Sequence, residues 1–168
     1  MHNELNAERL RELLSYDPET GVFTWAVRPS QRVMAGSIAG AAHKSGYRYI
    51  KIMGRSYFAH RLAWLYVHGE WPANEVDHVD GDPLNNALSN LRSATRAENM
   101  QNFSRARADS KSGFRGVTWN SQCRKWEANI THRGRQRRVG FFDTAESAHN
   151  AYLAAKAELH PFAPKLAA

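Results

Sequence analysis

Glu75-Val76-Asp77-His78-Val79-Asp80-Gly81-Asp82-Pro83 carries a strand pattern straight into an aspartate-rich turn, and Asn85-Asn86, Asn90 and Asn99 follow it closely. Asp77-His78 sets a carboxylate beside an imidazole whose ordinary pKa lies near neutrality, so His78 can take a proton from water and release it again. Asp77 is a hard anionic oxygen donor of the kind that suits Mg2+ or Mn2+. A single Asp-His dipeptide is ordinarily a surface hydrogen-bonded pair. The pair, the turn and the asparagines together within one short segment are far more specific. Neighbouring strand residues point to opposite faces, so for Asp77 and His78 to serve one site the chain must twist or leave the sheet there. The Asp80–Pro83 turn supplies a place for it.

Thr95-Arg96-Ala97-Glu98 matches a helix capping box, which puts Asn99 near the end of a first helical turn. A helix start there presents the positive end of its dipole to an anion. The spacing of Asp77-His78, Asn90 and Asn99 resembles the HNH endonuclease motif, the ββα-metal hairpin of colicin-type, phage and homing nucleases, in the variant written H-N-N. That resemblance implies metal-dependent cleavage of DNA. It makes His78 the general base, Asp77 and Asn99 the ligands of a divalent ion (Mg2+ or Mn2+), and Asn90 a structural brace whose amide locks the loop. His60-Arg61-Leu62-Ala63-Trp64 upstream also resembles phage-type HNH proteins. His60 is a secondary candidate, and capping of its own helix is the alternative. Asp80 and Asp82 read as turn formers.

The formal charge of +7 is unevenly spread. Residues 104–138 hold ten Lys/Arg against two acids, whereas the rest holds thirteen against fourteen. Such a block attracts polyphosphate by counterion release, independent of base sequence and sensitive to salt. Cys123 is the single cysteine, which excludes an internal disulfide and a four-cysteine zinc site. The N-terminal residues carry no signal-peptide pattern and no apolar stretch reaches membrane-spanning length. A soluble, non-secreted protein of the bacterial or phage-infected cytoplasm is expected.

Around this centre the chain reads as an α+β protein in several parts. Residues 1–58 read as a small β-rich module. A short helix over Leu5–Leu14 has Asn6 as N-cap, a strand covers Val22–Trp25, and a hairpin spans Gly46–Phe58. Residues 59–103 hold a helix from His60 to His68, stopped at Gly69, and then the Asp77–Asn99 segment. Residues 104–112 are polar and without periodicity and read as a linker. From 113 to 168 three strands (114–119, 125–131, 136–142) and a helix from Thr144 to about Leu159 are expected.

Phe114-Arg115-Gly116-Val117-Thr118-Trp119, Lys125-Trp126-Glu127-Ala128-Asn129-Ile130 and Gly140-Phe141-Phe142 resemble the Apetala-two (ethylene-response-factor) DNA-binding domain. The resemblance implies a three-stranded antiparallel sheet backed by one helix, its exposed face in the major groove of double-stranded DNA. Arg115, Trp119, Arg124, Lys125, Trp126, Arg135, Arg137 and Arg138 are the expected contacts, with Arg133 gripping phosphate at the strand junction. Arginine reads guanine or clamps phosphate, and tryptophan packs on sugar or the thymine methyl. Phe141, Phe142 and Tyr152 are expected in the core. Thr118 and Asn120 stand where the plant family carries arginines, so base preference does not transfer. The competing reading is a sequence-specific DNA-binding regulator with an inactive hairpin. Monomer and homodimer both stay open, since one hairpin site cuts one strand.

Overall fold

The computed structural model describes residues 5–102, 106 and 109–162. The chain divides into two compact units, residues 1–96 and 97–168. Residues 104, 105, 107 and 108 of the linker expected over 104–112 lie outside the described residues.

In the first unit, helix α1 (Ala7–Leu13) is capped by Asn6, whose Oδ1 accepts from the Arg9 N–H at 2.9 Å. The chain then turns extended at Leu14 rather than continuing as helix. Strand β1 (Leu14–Tyr16) pairs antiparallel with β2 (Phe23–Trp25) around the Asp17–Gly21 turn. The alternation that drives this is only three residues long: Leu14 and Tyr16 are buried, Ser15 is exposed. A second sheet joins β3 (Ala41–Ala42), β4 (Arg48–Ile52) and β5 (Arg55–Phe58) in that order. Met53 and Gly54, with φ of 49° and 83°, make the two-residue turn between β4 and β5. Helix α2 (Ala59–His68) follows, ended by Gly69 in the left-handed conformation.

Strand β6 (Glu75–His78) pairs with β7 (Leu91–Ala94), from Glu75 opposite Ala94 to His78 opposite Leu91. Helix α3 (Arg96–Asn102) comes next in the chain. One core unites α1, α2, the preceding strands and the β6–β7 hairpin. Leu10, Leu14, Phe23, Ile50, Ile52, Leu62 and Leu65 are fully buried, and Val76 of β6 and Leu91 of β7 join them. The boundary expected near residue 58 therefore runs through a shared core. Neither α1 with its strands nor the β6–β7 hairpin has enough apolar surface to close on itself, so each is packed against α2.

In the second unit β8 (Val117–Asn120), β9 (Lys125–His132) and β10 (Arg135–Phe142) form an antiparallel sheet with β9 central. Helix α4 (Ala145–Leu159) packs on it, its first turn capped by Thr144 Oγ1, which accepts from the Ser147 N–H at 3.1 Å. Val117, Ala128, Ile130, Ala148 and Tyr152 form this core. Gly116 is required by contact: at φ 76°, a Cβ there would lie 2.3 Å from the Tyr152 ring.

Gly21 imposes the tighter constraint on the first unit. Its φ is 73° and an added Cβ would fall 2.2 Å from the backbone carbon of Asn86. Gly21→Ala should therefore destabilise the chain by at least about 2 kcal/mol, combining a left-handed penalty with a backbone clash. Urea unfolding followed by tryptophan fluorescence checks it.

Candidate active site

His78 is the last residue of β6 and Asp77 the one before it, so their side chains leave the strand on opposite faces. The strand runs regularly through both. The chain departs only afterwards, where Gly81 N–H donates to the His78 carbonyl at 3.0 Å. Both side chains are 5% exposed. Asp77 Oδ2 accepts two hydrogen bonds from its cross-strand neighbour Arg92, from Nε at 2.9 Å and Nη2 at 2.7 Å.

The His78 ring is held from several directions. Its Nε2 lies 3.3 Å from Oδ1 of Asn86. Asn86 is 1% exposed, and its Nδ2 donates to the Leu84 carbonyl at 2.9 Å, which turns Oδ1 towards the histidine. An amide oxygen only accepts, so His78 Nε2 carries the proton and Nδ1 holds the lone pair. The Asn86 backbone carbonyl accepts from Tyr16 Oη at 2.8 Å, and Leu88 N–H donates to the Pro18 carbonyl at 2.9 Å. The β1–β2 turn thus clamps the loop that orients the imidazole. Burial of Tyr16, reinforced by Asp17, pushes its phenol up to about 12. The hydroxyl therefore stays a donor at any ordinary pH.

Asn90 braces the same loop. Its Nδ2 donates to Asp80 Oδ1 at 2.9 Å and to the Asn85 carbonyl at 2.8 Å, while its Oδ1 accepts from the Asp80 N–H at 3.1 Å. Asp80 and Asp82 are turn formers: the Asp82 N–H donates to Asp80 Oδ1 and the Leu84 N–H to Asp82 Oδ1. Burial raises the Asp80 pKa, but the hydrogen bonds from Asp82, Asn85 and Asn90 outweigh it and leave a net lowering.

His60 neither caps its helix nor lies at the surface. The N-cap of α2 is Phe58, with no side-chain cap bond, and His60 is 7% exposed. Its ring meets that of His78 edge-on at 5.0 Å and also contacts Tyr47 and Phe58. Its Nδ1 is buried without a hydrogen-bond partner. Burial, then the neighbouring His78 and Arg61, pushes its pKa down to about 3. Burial also holds His78 below the ordinary imidazole range, against smaller raising effects led by Asn86 and Asp80.

Among the described residues no three His, Cys, Asp or Glu side chains group as a metal-binding cluster. Mg2+ binds through one or two carboxylates, with water and substrate phosphates filling its shell. Asp77 fits that donor chemistry, and its carboxylate is paired with the Arg92 guanidinium at 2.7 Å. Asn99 lies on α3, within the second unit.

The second unit divides the expected DNA contacts by face. Cross-strand register places Trp119 opposite Trp126, and Val117 opposite Ala128, on the side that packs on α4. The two tryptophans meet at 5.1 Å; Trp126 packs against the core, whereas Trp119, on the edge strand, is 48% exposed. Thr118, Glu127, Asn129, Thr131 and Gln136 take the outward face with Arg138, whose Nε donates to Glu127 Oε1 at 2.8 Å. A bulge between Arg138 and Gly140 turns Phe141 outward too, opposite Glu127 and 4.8 Å from the Arg138 guanidinium. Phe141 was expected in the core; the extra residue in β10 reverses its parity. Arg135 and Arg137 are exposed on β10, and by register their side chains leave on the other side from Arg138.

The remaining expected contacts sit at turns and the sheet's edge. Arg124 and Arg133 adopt left-handed backbone in the two hairpin turns, at φ 51° and 50°. Lys125 pairs with Asp143 at 3.1 Å, and Arg115 Nη2 donates to the Met100 carbonyl at 3.3 Å.

Residues 57–101 match the family model described as HNH endonuclease. Protein 3.8 of Escherichia phage T7 is 36% identical over 78 residues, covering 46% of this chain and 64% of the phage protein. An uncharacterised HNH endonuclease of Acanthamoeba polyphaga mimivirus is 30% identical over 110 residues, 65% of this chain and 56% of the viral protein. The chain thus spans less than two thirds of the length of either relative. No solved structure matches. The matched segment contains His60, Asp77, His78, Asn86, Asn90 and Asn99.

The neutral, buried His60 makes stability depend on pH. Between its ordinary 6.5 and about 3, the unfolded chain binds a proton that the folded chain refuses. Stability is complete above about pH 6.5 and falls as pH drops through this window, by roughly 1 kcal/mol per pH unit. His60→Phe should flatten that slope in urea melts run from pH 7 to pH 4.

Proposed function

We propose that this chain, whose residues 57–101 form an HNH endonuclease domain, is a divalent-metal-dependent DNA endonuclease in which His78 is the general base. The observation that carries this reading is the fixed tautomer of His78: Asn86 Oδ1 holds the Nε2 proton, leaving Nδ1 the basic nitrogen. Held neutral by burial, that nitrogen accepts a proton from water as the water oxygen attacks phosphorus. The bond from phosphorus to the leaving 3′ oxygen breaks in the same displacement.

Asp77 and Asn99 are the proposed oxygen ligands of the ion, Mg2+ or Mn2+. When bound, it supplies neutralising charge for the phosphate and the departing oxygen. Arg92 holds the Asp77 carboxylate in one orientation through two hydrogen bonds. Asn90 keeps the Asp80–Asn85 loop closed, so that Asn86 stays against the histidine.

The second unit is the proposed targeting module, acting on double-stranded DNA through the outward face of its sheet. The basic residues of 104–138 supply phosphate affinity, and Arg138 with its polar neighbours supplies base contacts. The chain's resemblance to the Apetala-two domain between 112 and about 162 supports this role. The Asp77–Arg92 pair favours one competing reading, a DNA-binding regulator in which Arg92 takes the place of the ion.

Supercoiled plasmid incubated with the protein and Mg2+ or Mn2+ separates the two. Wild type should nick the plasmid, with His78→Ala slower by about 10²–10⁴-fold and Asn86→Ala also slower. A wild type that only shifts the plasmid sinks the nuclease reading, and a His78→Ala variant that cuts normally removes the base. Arg133→Ala should weaken duplex binding uniformly across sequences and make the salt dependence shallower by about one in log–log slope.

A further inference from the structure

The sheet of β3, β4 and β5 packs one face into the first unit's core and turns a different chemistry outward. Ile50 and Ile52 are buried on the inner face, with Tyr57 beside Ile50. The alternate residues Tyr47, Tyr49 and Lys51 lie on the other face, where Phe58 is the cross-strand partner of Tyr49 and Ser56 that of Lys51. Tyr47, Tyr49 and Phe58 are half-buried and lie outside the hydrophobic core, whereas Lys51 and Ser56 are exposed.

The rings on this face form one continuous series. His43 meets Tyr49 at 5.3 Å, Tyr49 meets Phe58 at 4.3 Å, and Phe58 meets Tyr47 at 5.3 Å. Tyr47 then meets His60 at 5.4 Å and His78 at 6.1 Å. An aromatic surface therefore runs from the edge of the sheet to the imidazole assigned as base. The stretch of chain that builds this face is one-sided in charge as well, the carboxylates Asp77, Asp80 and Asp82 standing only at its His78 end. Residues 20–69 contain seven Lys/Arg and no Asp or Glu, while the flanking segments 1–19 and 70–103 are both net acidic.

We propose that this outer face is a second nucleic-acid surface, which takes an unstacked nucleotide of the DNA strand beside the bond to be cut. The base lies against Tyr49 and Phe58, and its phosphate meets Lys51. Partly exposed rings beside cations, with no carboxylate among residues 20–69, are the chemistry that holds single-stranded nucleic acid without reading its sequence. An acidic or neutral protein partner would not need the run of rings to end at a catalytic base. The proposal rests on the nuclease reading for its placement, but it concerns binding and is tested without cleavage.

The test uses the full chain in EDTA with a short oligothymidine carrying one 2-aminopurine. Wild type should bind it and quench the probe through stacking. Tyr49→Leu, which keeps apolar volume, should weaken binding about tenfold and abolish the quench. Lys51→Glu, at an exposed position, should weaken it and lower the salt dependence, with duplex binding nearly unchanged. If both variants bind and quench like wild type, or wild type does not bind the oligomer, the proposal is overturned. An equal loss on duplex and single strand with no quench also overturns it, since that marks a backbone-only surface. Should Tyr49→Leu fail to fold by circular dichroism, Lys51→Glu and the quench still decide. Plasmid nicking in Mg2+ is scored separately. A chain that binds and quenches yet never nicks loses the nuclease reading and keeps this surface.

Discussion

The hydrogen bond between Asn86 and His78 is the contact on which the first unit is organised. It is longer than a typical N–H···O bond, at 3.3 Å, so its value lies in orientation rather than strength. What makes it dependable is the redundancy behind it. Asn86 is buried, its amide is turned by Leu84, its carbonyl is held by Tyr16, and Gly21 leaves no room for its backbone to shift. An unpaired amide at that depth would cost about 1–3 kcal/mol, so the loop has one low-energy arrangement. The N-terminal strands therefore serve the site although they contribute no reacting group.

Both units use a sheet in the same way. A short antiparallel sheet places alternate residues on a helix and leaves the other face to be chemically specialised. In the second unit that face is polar, with Arg138 laid over Phe141 and paired to Glu127. In the first it is aromatic and leads to His60 and His78. The buried histidine pair carries a cost: His60 keeps an unpartnered Nδ1, and neither imidazole is easily protonated there. The apolar surroundings that weaken the fold in acid also favour a neutral His78 imidazole, as its proposed role of general base requires.

Much of this was legible in local sequence. Asn6 caps α1, Thr144 caps α4 and Gly69 ends α2, because capping depends on residues within one turn of each other. The Asp80–Asp82 turn and the loop asparagines were visible for the same reason. Strands β1 and β7 were not: Leu14 continues the apolar pattern of the preceding helix, and Leu91–Ala94 is defined only by its pairing with β6. Phe141 was misplaced because a single bulge residue in β10 is invisible in the alternation it disrupts. In sequence Asn86 is one of two adjacent asparagines; only the fold distinguishes the one buried against His78 from the one that braces Asp80.

By itself the sequence determined which chemistry is present: a histidine beside a carboxylate, asparagines at set intervals, and cations gathered into blocks. These are properties of residue type and spacing, and they pointed to the segment that matches the HNH endonuclease model. The tertiary structure alone decided that Asn86 Oδ1 faces His78 Nε2, that His60 lies against that ring, and that Asp77 is tied to Arg92. Each of those follows from contacts between residues far apart in the chain or on opposite strands, such as Tyr16 with Asn86 and Tyr47 with His78. No local pattern encodes such contacts, because they exist only once a shared core has brought the elements together.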